Sequence, residues 1–146
     1  MELMERGTVF VEYLDIPTPP TYKNLKEVEE LPNHFQYKHE ENFYSTHYCE
    51  LELKLWLMNT FPEGKSFNYQ RIGDGLPVHT DVDRNECINY LIRPGGEQVE
   101  TVWFDDNYQE IHRECIEPNR WHKLKVDVLH TVEGVTDKRL SITVGL

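Results

Sequence analysis

From Phe67 to the end, the chain is cut into short runs by five turn clusters: "GDGLP", "RPGGE", "DDNY", "EPNR" and "EGVTDK". Each cluster combines Gly, Pro, Asn or Asp, the residues that set turn geometry or tolerate left-handed backbone. The runs between them are too short for ordinary helices and carry β-branched and aromatic residues. Even spacing of this kind predicts an antiparallel sandwich or barrel. The segment before Phe67 reads differently. "TVFVEYLDI" predicts a short first strand, and Pro-rich "IPTPPTY" an extended connection. "KNLKEVEEL" predicts a short acidic helix. "CELELKLWLMNTFP" alternates like a strand, yet Leu51, Leu55, Met58 and Phe61 also form a helical stripe that ends at Pro62; we read it as a helix. The expected order is helices first, then strands. We take residues 1–146 as one domain, with an N-terminal strand and supporting helices over 1–65 and a β core over 66–146.

Composition narrows the function. The 146 residues fit one domain, and 12% aromatic content suits a packed core. The net charge is −11 with no cluster of Lys and Arg, so a phosphate-tracking surface and nucleic-acid partners are not expected. Cys49, Cys87 and Cys115 are odd in number and lack a C-x-x-C spacing, which predicts reduced thiols. "MELMERGTVF" has no basic start followed by an apolar run, and "LWLMNTF" is far shorter than the roughly 20 residues of a membrane span. A cytoplasmic protein without a membrane partner is the expectation.

Histidine next but one to an acid is not informative by itself. Seven His among 26 acidic residues give about 1.2 such pairs by chance, by simple template counting; the chain has three, starting at His39, His79 and His112. His79-Thr80-Asp81 stands apart because of two runs further along the chain. In "KLKVDVLHTV", Leu124, Val126, Val128 and His130 share one strand parity, so His130 is expected to point inward. In "RLSITVGL", Leu140, Ile142 and Val144 share one face and Arg139, Ser141 and Thr143 the other. With the apolar face on the helices, the polar face looks between two sheets. An inward Arg needs an anionic partner, either an acidic side chain or a bound carboxylate.

A His and an Asp at i and i+2 project from one face of a strand. A second inward His from a neighbouring strand completes a facial set of two imidazoles and one carboxylate, the triad of non-haem iron(II) sites. The pattern "HTD … H … RLS" resembles the Fe(II)/2-oxoglutarate-dependent oxygenase superfamily over Phe67 to Leu146. "NYLIRPGGEQVETVWF" is similar to the "YL…GG…T.F" strand pair of its prolyl-4-hydroxylase-like members, and the compact length suits small phage or bacterial types. The resemblance implies a cupin-like jelly roll, or double-stranded β-helix. It implies His79, Asp81 and His130 as catalytic iron ligands. Arg139 and Ser141 would hold 2-oxoglutarate, with Tyr69 as a further contact, although many members place their Tyr nearer the motif, where this chain has Ile72. O2 would be the second cosubstrate. The implied reaction hydroxylates a C–H bond of a peptide, protein or small molecule and releases succinate and CO2. The alternatives are a cupin-like metalloenzyme that takes no oxoacid, and a non-catalytic β-sandwich interaction or virion structural protein.

Other residues read as structural. His122 is expected at a strand entry, structural or facing solvent, and His112 and Glu114 on the surface. Trp103, Phe104 and Trp121 are expected in the core, and Asp105 and Asp106 in a turn. His34, His39 and His47 carry no metal pattern. An open last strand after "RLSITVGL" would permit edge pairing and a homodimer.

Overall fold

A computed structural model describes residues 7–32, 44–81 and 84–146. It is mainly β, with two antiparallel sheets and two short helices among the described residues. The chain runs β1 (Val11–Tyr13), α1 (Leu25–Glu29), β2 (Tyr44–Tyr48), α2 (Leu51–Thr60), β3 (Ser66–Ile72), β4 (Glu86–Arg93), β5 (Glu100–Phe104), β6 (Glu110–Glu114), β7 (Trp121–Lys125), β8 (His130–Glu133) and β9 (Arg139–Gly145). One sheet has six strands in the order β1-β7-β4-β9-β3-β2, and the other three in the order β6-β5-β8. His79 adds an isolated antiparallel bridge to His130, beside the free edge of β8.

The turn clusters act as expected. Each holds one residue with positive φ: Gly75, Gly95, Tyr108, Asn119 and Gly134. Gly95 matters most for the position of Arg139. A Cβ there would stand 2.8 Å from the backbone nitrogen of Arg139, so the β4–β5 turn can press against the start of β9 only with glycine at this position.

The six-stranded sheet is covered on both faces. On one face, Leu140, Ile142 and Val144 of β9 join Ile88, Tyr90, Tyr69 and Trp121, and pack on Val28 of α1 and on Leu53, Leu57 and Phe61 in and after α2. Asn24 caps α1 through a reciprocal pair of bonds with Glu27. On the other face, Cys87, Leu91 and Leu124 meet Trp103 of the small sheet together with Phe10, Ile116 and Val126.

Three sequence expectations need correction. The run from Lys123 to Val132 is not one strand: β7 ends at Lys125 and β8 starts at His130, in the other sheet. The chain changes sheets across Val126–Leu129, a corner that the parity of apolar residues does not reveal. The helical stripe in α2 is also misassigned. Leu51, Leu55 and Met58 are 70%, 57% and 48% exposed, whereas Leu53 and Leu57 are fully buried. Apolar residues surround this helix, so periodicity identified a helix without its inner face. Finally, β9 is no edge strand; it lies between β4 and β3, which removes the edge argument for a homodimer. No helix among the described residues is long and apolar enough to cross a membrane.

Candidate metal centre

Two short backbone arrangements bring the cluster together. His79 N–H donates to the His130 carbonyl at 3.0 Å, and His130 N–H donates to the His79 carbonyl at 2.8 Å. This reciprocal pair sets the two side chains on one face, with ring centroids 4.5 Å apart. Asp81 N–H donates to the Val126 carbonyl at 2.9 Å, tying the extended segment to the corner between β7 and β8. His79 and Asp81, two residues apart, therefore turn the same way.

The orientation of the rings is set by carbonyls. His79 Nδ1 donates to Pro77 O at 2.8 Å and His130 Nδ1 donates to Val128 O at 2.6 Å. A carbonyl can only accept, so Nδ1 carries the proton of this bond in both rings and Nε2 is the atom turned toward Asp81. Both Nε2 atoms lie 3.6 Å from Asp81 Oδ1. That is beyond hydrogen-bond range. The three ligand atoms all fall within 4.8 Å of one another. Donors held about 2.0–2.2 Å from an ion stand roughly 3–3.5 Å apart in tetrahedral or octahedral order, so this spacing fits a divalent metal. Burial lowers the pKa of His130, with the His79 charge acting in the same direction, which favours the neutral imidazole that a metal requires. Among the described residues, this is the one His, Cys, Asp and Glu group with such geometry.

The cluster lines a cavity of about 60 Å³ between the sheets. Arg139, Ser141, Gln70, Asn89 and His122 line the same cavity. Arg139 is 5% exposed. Its Nη1 donates to Pro94 O at 3.2 Å, and no carboxylate among the described residues lies within ion-pair reach. Burial pulls its pKa down to about 10. A cation in that position gains most from an anionic partner. An outer groove of about 490 Å³ adjoins the cavity and shares Asp81 and Arg84 with it.

His79, Asp81, His130, Arg139 and Ser141 therefore meet around one space, as expected from the sequence. Tyr69 does not join them. It pairs with Ile142, on the helix-facing side of β9. Its hydroxyl donates to Glu50 Oε1 at 2.7 Å and accepts from Lys23 N–H at 2.8 Å. The residue opposite Ser141 is Gln70, one position on. Strand register, absent from the sequence, decides between the two.

His122 sits at the strand entry, as expected, but does not face solvent. It is 2% exposed, faces the cavity from β7, and burial drives its pKa down to about 4. Its strand partner Asn89 was missed too; an apolar strand "ECINYLIR" with one Asn at its centre was the available signal. The remaining residues are structural. His47 is buried beside Ser45 Oγ and Leu31 O, and His112 pairs with Glu114 and stacks on Phe10. Trp103 and Trp121 are core residues, and Asp105 accepts two backbone N–H groups in its turn. His34 and His39 lie outside the described residues. All three cysteines are free, and burial raises Cys87 to about 12, which makes it a poor nucleophile.

Compared with known proteins, the chain matches no family model, no curated protein and no solved structure.

Proposed function

We propose that the chain is an Fe(II)- and 2-oxoglutarate-dependent dioxygenase on a jelly-roll core, hydroxylating a C–H bond of a peptide, protein or small molecule. The observation that carries this reading is a single one. Two imidazoles and a carboxylate converge in the same cavity as a buried guanidinium that has no carboxylate partner among the described residues. A site for metal alone has no use for that guanidinium.

The strand order supports the fold reading. From β3 onward, β7-β4-β9-β3 form four strands of the large sheet. Adding the His79 segment to β6-β5-β8 gives the second sheet a fourth member. Eight antiparallel segments in two sheets of four is the jelly-roll arrangement.

His79, Asp81 and His130 would hold the metal and leave its remaining positions open on the cavity side. Iron(II) bound there with the oxoacid would supply the O2 activation that couples release of succinate and CO2 to C–H hydroxylation. Arg139 orients the oxoacid by pairing with its far carboxylate, and the Ser141 hydroxyl adds a bond two residues away on the same face. The sheets exclude water from that carboxylate, so the pair acts in a low dielectric. The inner space, about 60 Å³, is well below the roughly 300 Å³ of ordinary ligand pockets. Entry of a five-carbon oxoacid therefore displaces lining side chains. The outer groove shares Asp81 with the inner cavity and offers the substrate a way to that ligand.

Anaerobic titration with Fe(II) and then 2-oxoglutarate tests the proposal. The expected result is one equivalent of each, a visible charge-transfer band, and succinate on admitting O2. Asp81→Ala removes the one anionic ligand and is expected to abolish all three signals. Metal binding without any response to 2-oxoglutarate would instead favour an oxoacid-free metalloenzyme. Failure to bind metal would leave a non-catalytic β sandwich.

A further inference from the structure

Asp81 is not free to turn its carboxylate. Arg84 Nε and Nη2 both donate to the same oxygen, Oδ2, at 2.9 and 2.6 Å. Oδ1 is left facing the imidazoles, 3.6 Å from each Nε2. A guanidinium fork ordinarily spans both oxygens of a carboxylate; here both donors engage one. The guanidinium is itself confined. It lies against the backbone of Gly145 at the end of β9, where an added Cβ would stand 3.0 Å from Nη1. Arg84 and Asp81 are 23% and 15% exposed, so solvent screens the pair only in part.

We propose that Arg84 is a positioning residue that restricts Asp81 to single-oxygen ligation, which keeps one more coordination position open for a chelating oxoacid. This rests on the metal-site reading above. A carboxylate with two free oxygens can chelate a divalent ion through both. With Oδ2 held by two charge-assisted bonds, the second contact to metal would have to break them. Arginine suits the task because it stays charged and presents donors in a fixed plane. The same contacts place Arg84 between the inner cavity and the outer groove, both of which it lines. Electrostatics alone predicts a different outcome. A cation near the ligand repels a metal, so its removal would tighten metal binding without changing the coordination number. Coordination number and oxoacid affinity therefore separate positioning from simple charge.

Anaerobic Co(II) and Fe(II) titrations of the wild-type chain, Arg84→Ala and Arg84→Lys provide the test, with visible absorption of the Co(II) form as a measure of coordination number. Each Co(II) form is then titrated with 2-oxoglutarate. Arg84→Ala is expected to ligate Co(II) through both carboxylate oxygens, with the spectrum of a higher coordination number, and to bind 2-oxoglutarate about tenfold or more weakly, the lower end of the loss that follows removal of a ligand's supporting partner. Arg84→Lys keeps the charge but replaces the fork with one ammonium, and is expected to fall between. It also serves as the test variant if Arg84→Ala does not fold. A wild-type Co(II) spectrum and wild-type 2-oxoglutarate affinity in the variant would overturn the inference and leave the metal site standing, as would a wild-type Co(II) form that gives no response to 2-oxoglutarate. A wild-type chain that binds neither ion would remove the metal site, and this inference with it.

Discussion

The two faces of β9 are equally buried and chemically opposite. All seven of its residues are buried. Leu140, Ile142 and Val144 enter an apolar layer beneath α1 and α2, where the polar tips are tied off: Tyr69 by Glu50 and Lys23, Trp121 Nε1 by Pro17 O. Arg139 and Ser141 enter the cavity instead, with Gln70 and Asn89 from the adjacent strands and His122 from β7, one strand further on. One face removes apolar surface from water. The other gathers polar groups that are costly to bury without a ligand. The strand alternation that builds the sheet also keeps the two roles on separate residues, so substitutions on one face should change stability and on the other binding.

The largest expected effect breaks the comparison on its stabilising side. Leu140 is fully buried beneath the helices. Leu140→Ala should cost about 2–5 kcal/mol of folding stability, the transfer loss plus a cavity. Urea denaturation would report the cost. Metal and oxoacid affinity of the folded fraction should stay at the wild-type value. If that affinity falls in step with stability, the two faces are not separable.

That separation was partly legible in the sequence. The alternation in "RLSITVGL" assigned both faces of β9, and the five turn clusters marked the strand ends, because turn chemistry and side-chain alternation are local. His79 and His130 were legible as candidates only through their company. Their convergence depends on one reciprocal backbone pair between residues 51 positions apart. Tyr69, Gln70 and His122 were not legible. Each lies on a strand whose inward face depends on register against a distant neighbour, and a shift of one residue reverses the assignment. The sheet change between Lys125 and His130 was hidden for a related reason: the apolar parity runs through the corner unbroken. Arg84 was overlooked because an acid and a base three residues apart look like any surface pair.

A second, smaller effect sharpens the contrast through pH. His122 is neutral in the fold, its pKa pushed down to about 4 by burial, with the Arg139 charge adding to that and the Arg120 carbonyl opposing it. Unfolded, it titrates near 6.5. Above that pH both states are neutral and His122 adds no pH dependence. As pH falls from about 6.5 to 4, the unfolded state binds the proton first, and stability is lost. At about 1.4 kcal/mol per pKa unit, the full loss is near 3 kcal/mol. Comparing wild type with His122→Gln in urea melts at pH 7, 5.5 and 4 isolates this residue from the other histidines. The variant should lose less stability on acidification; parallel curves would mean that the imidazole is hydrated in the fold.

The smallest effect has the opposite sign and concerns Arg139. A buried charge with no carboxylate partner among the described residues weakens the fold that holds it. Replacing buried charged groups with apolar residues of similar volume is often neutral or stabilising. Met matches much of the length of Arg and carries no charge to desolvate. Arg139→Met gives up one hydrogen bond, to Pro94 O, and that carbonyl lies at the turn where Gly95 meets β9. The bond is modest at 3.2 Å, so relief of desolvation should dominate. The expected outcome is unchanged stability or a gain of about 1 kcal/mol, together with loss of any response to 2-oxoglutarate and retention of metal binding. Clear destabilisation would mean that Arg139 is held by partners within the chain and contributes to folding as Leu140 does. A gain in stability paired with loss of oxoacid binding would identify the guanidinium as a group the fold tolerates for the sake of its ligand.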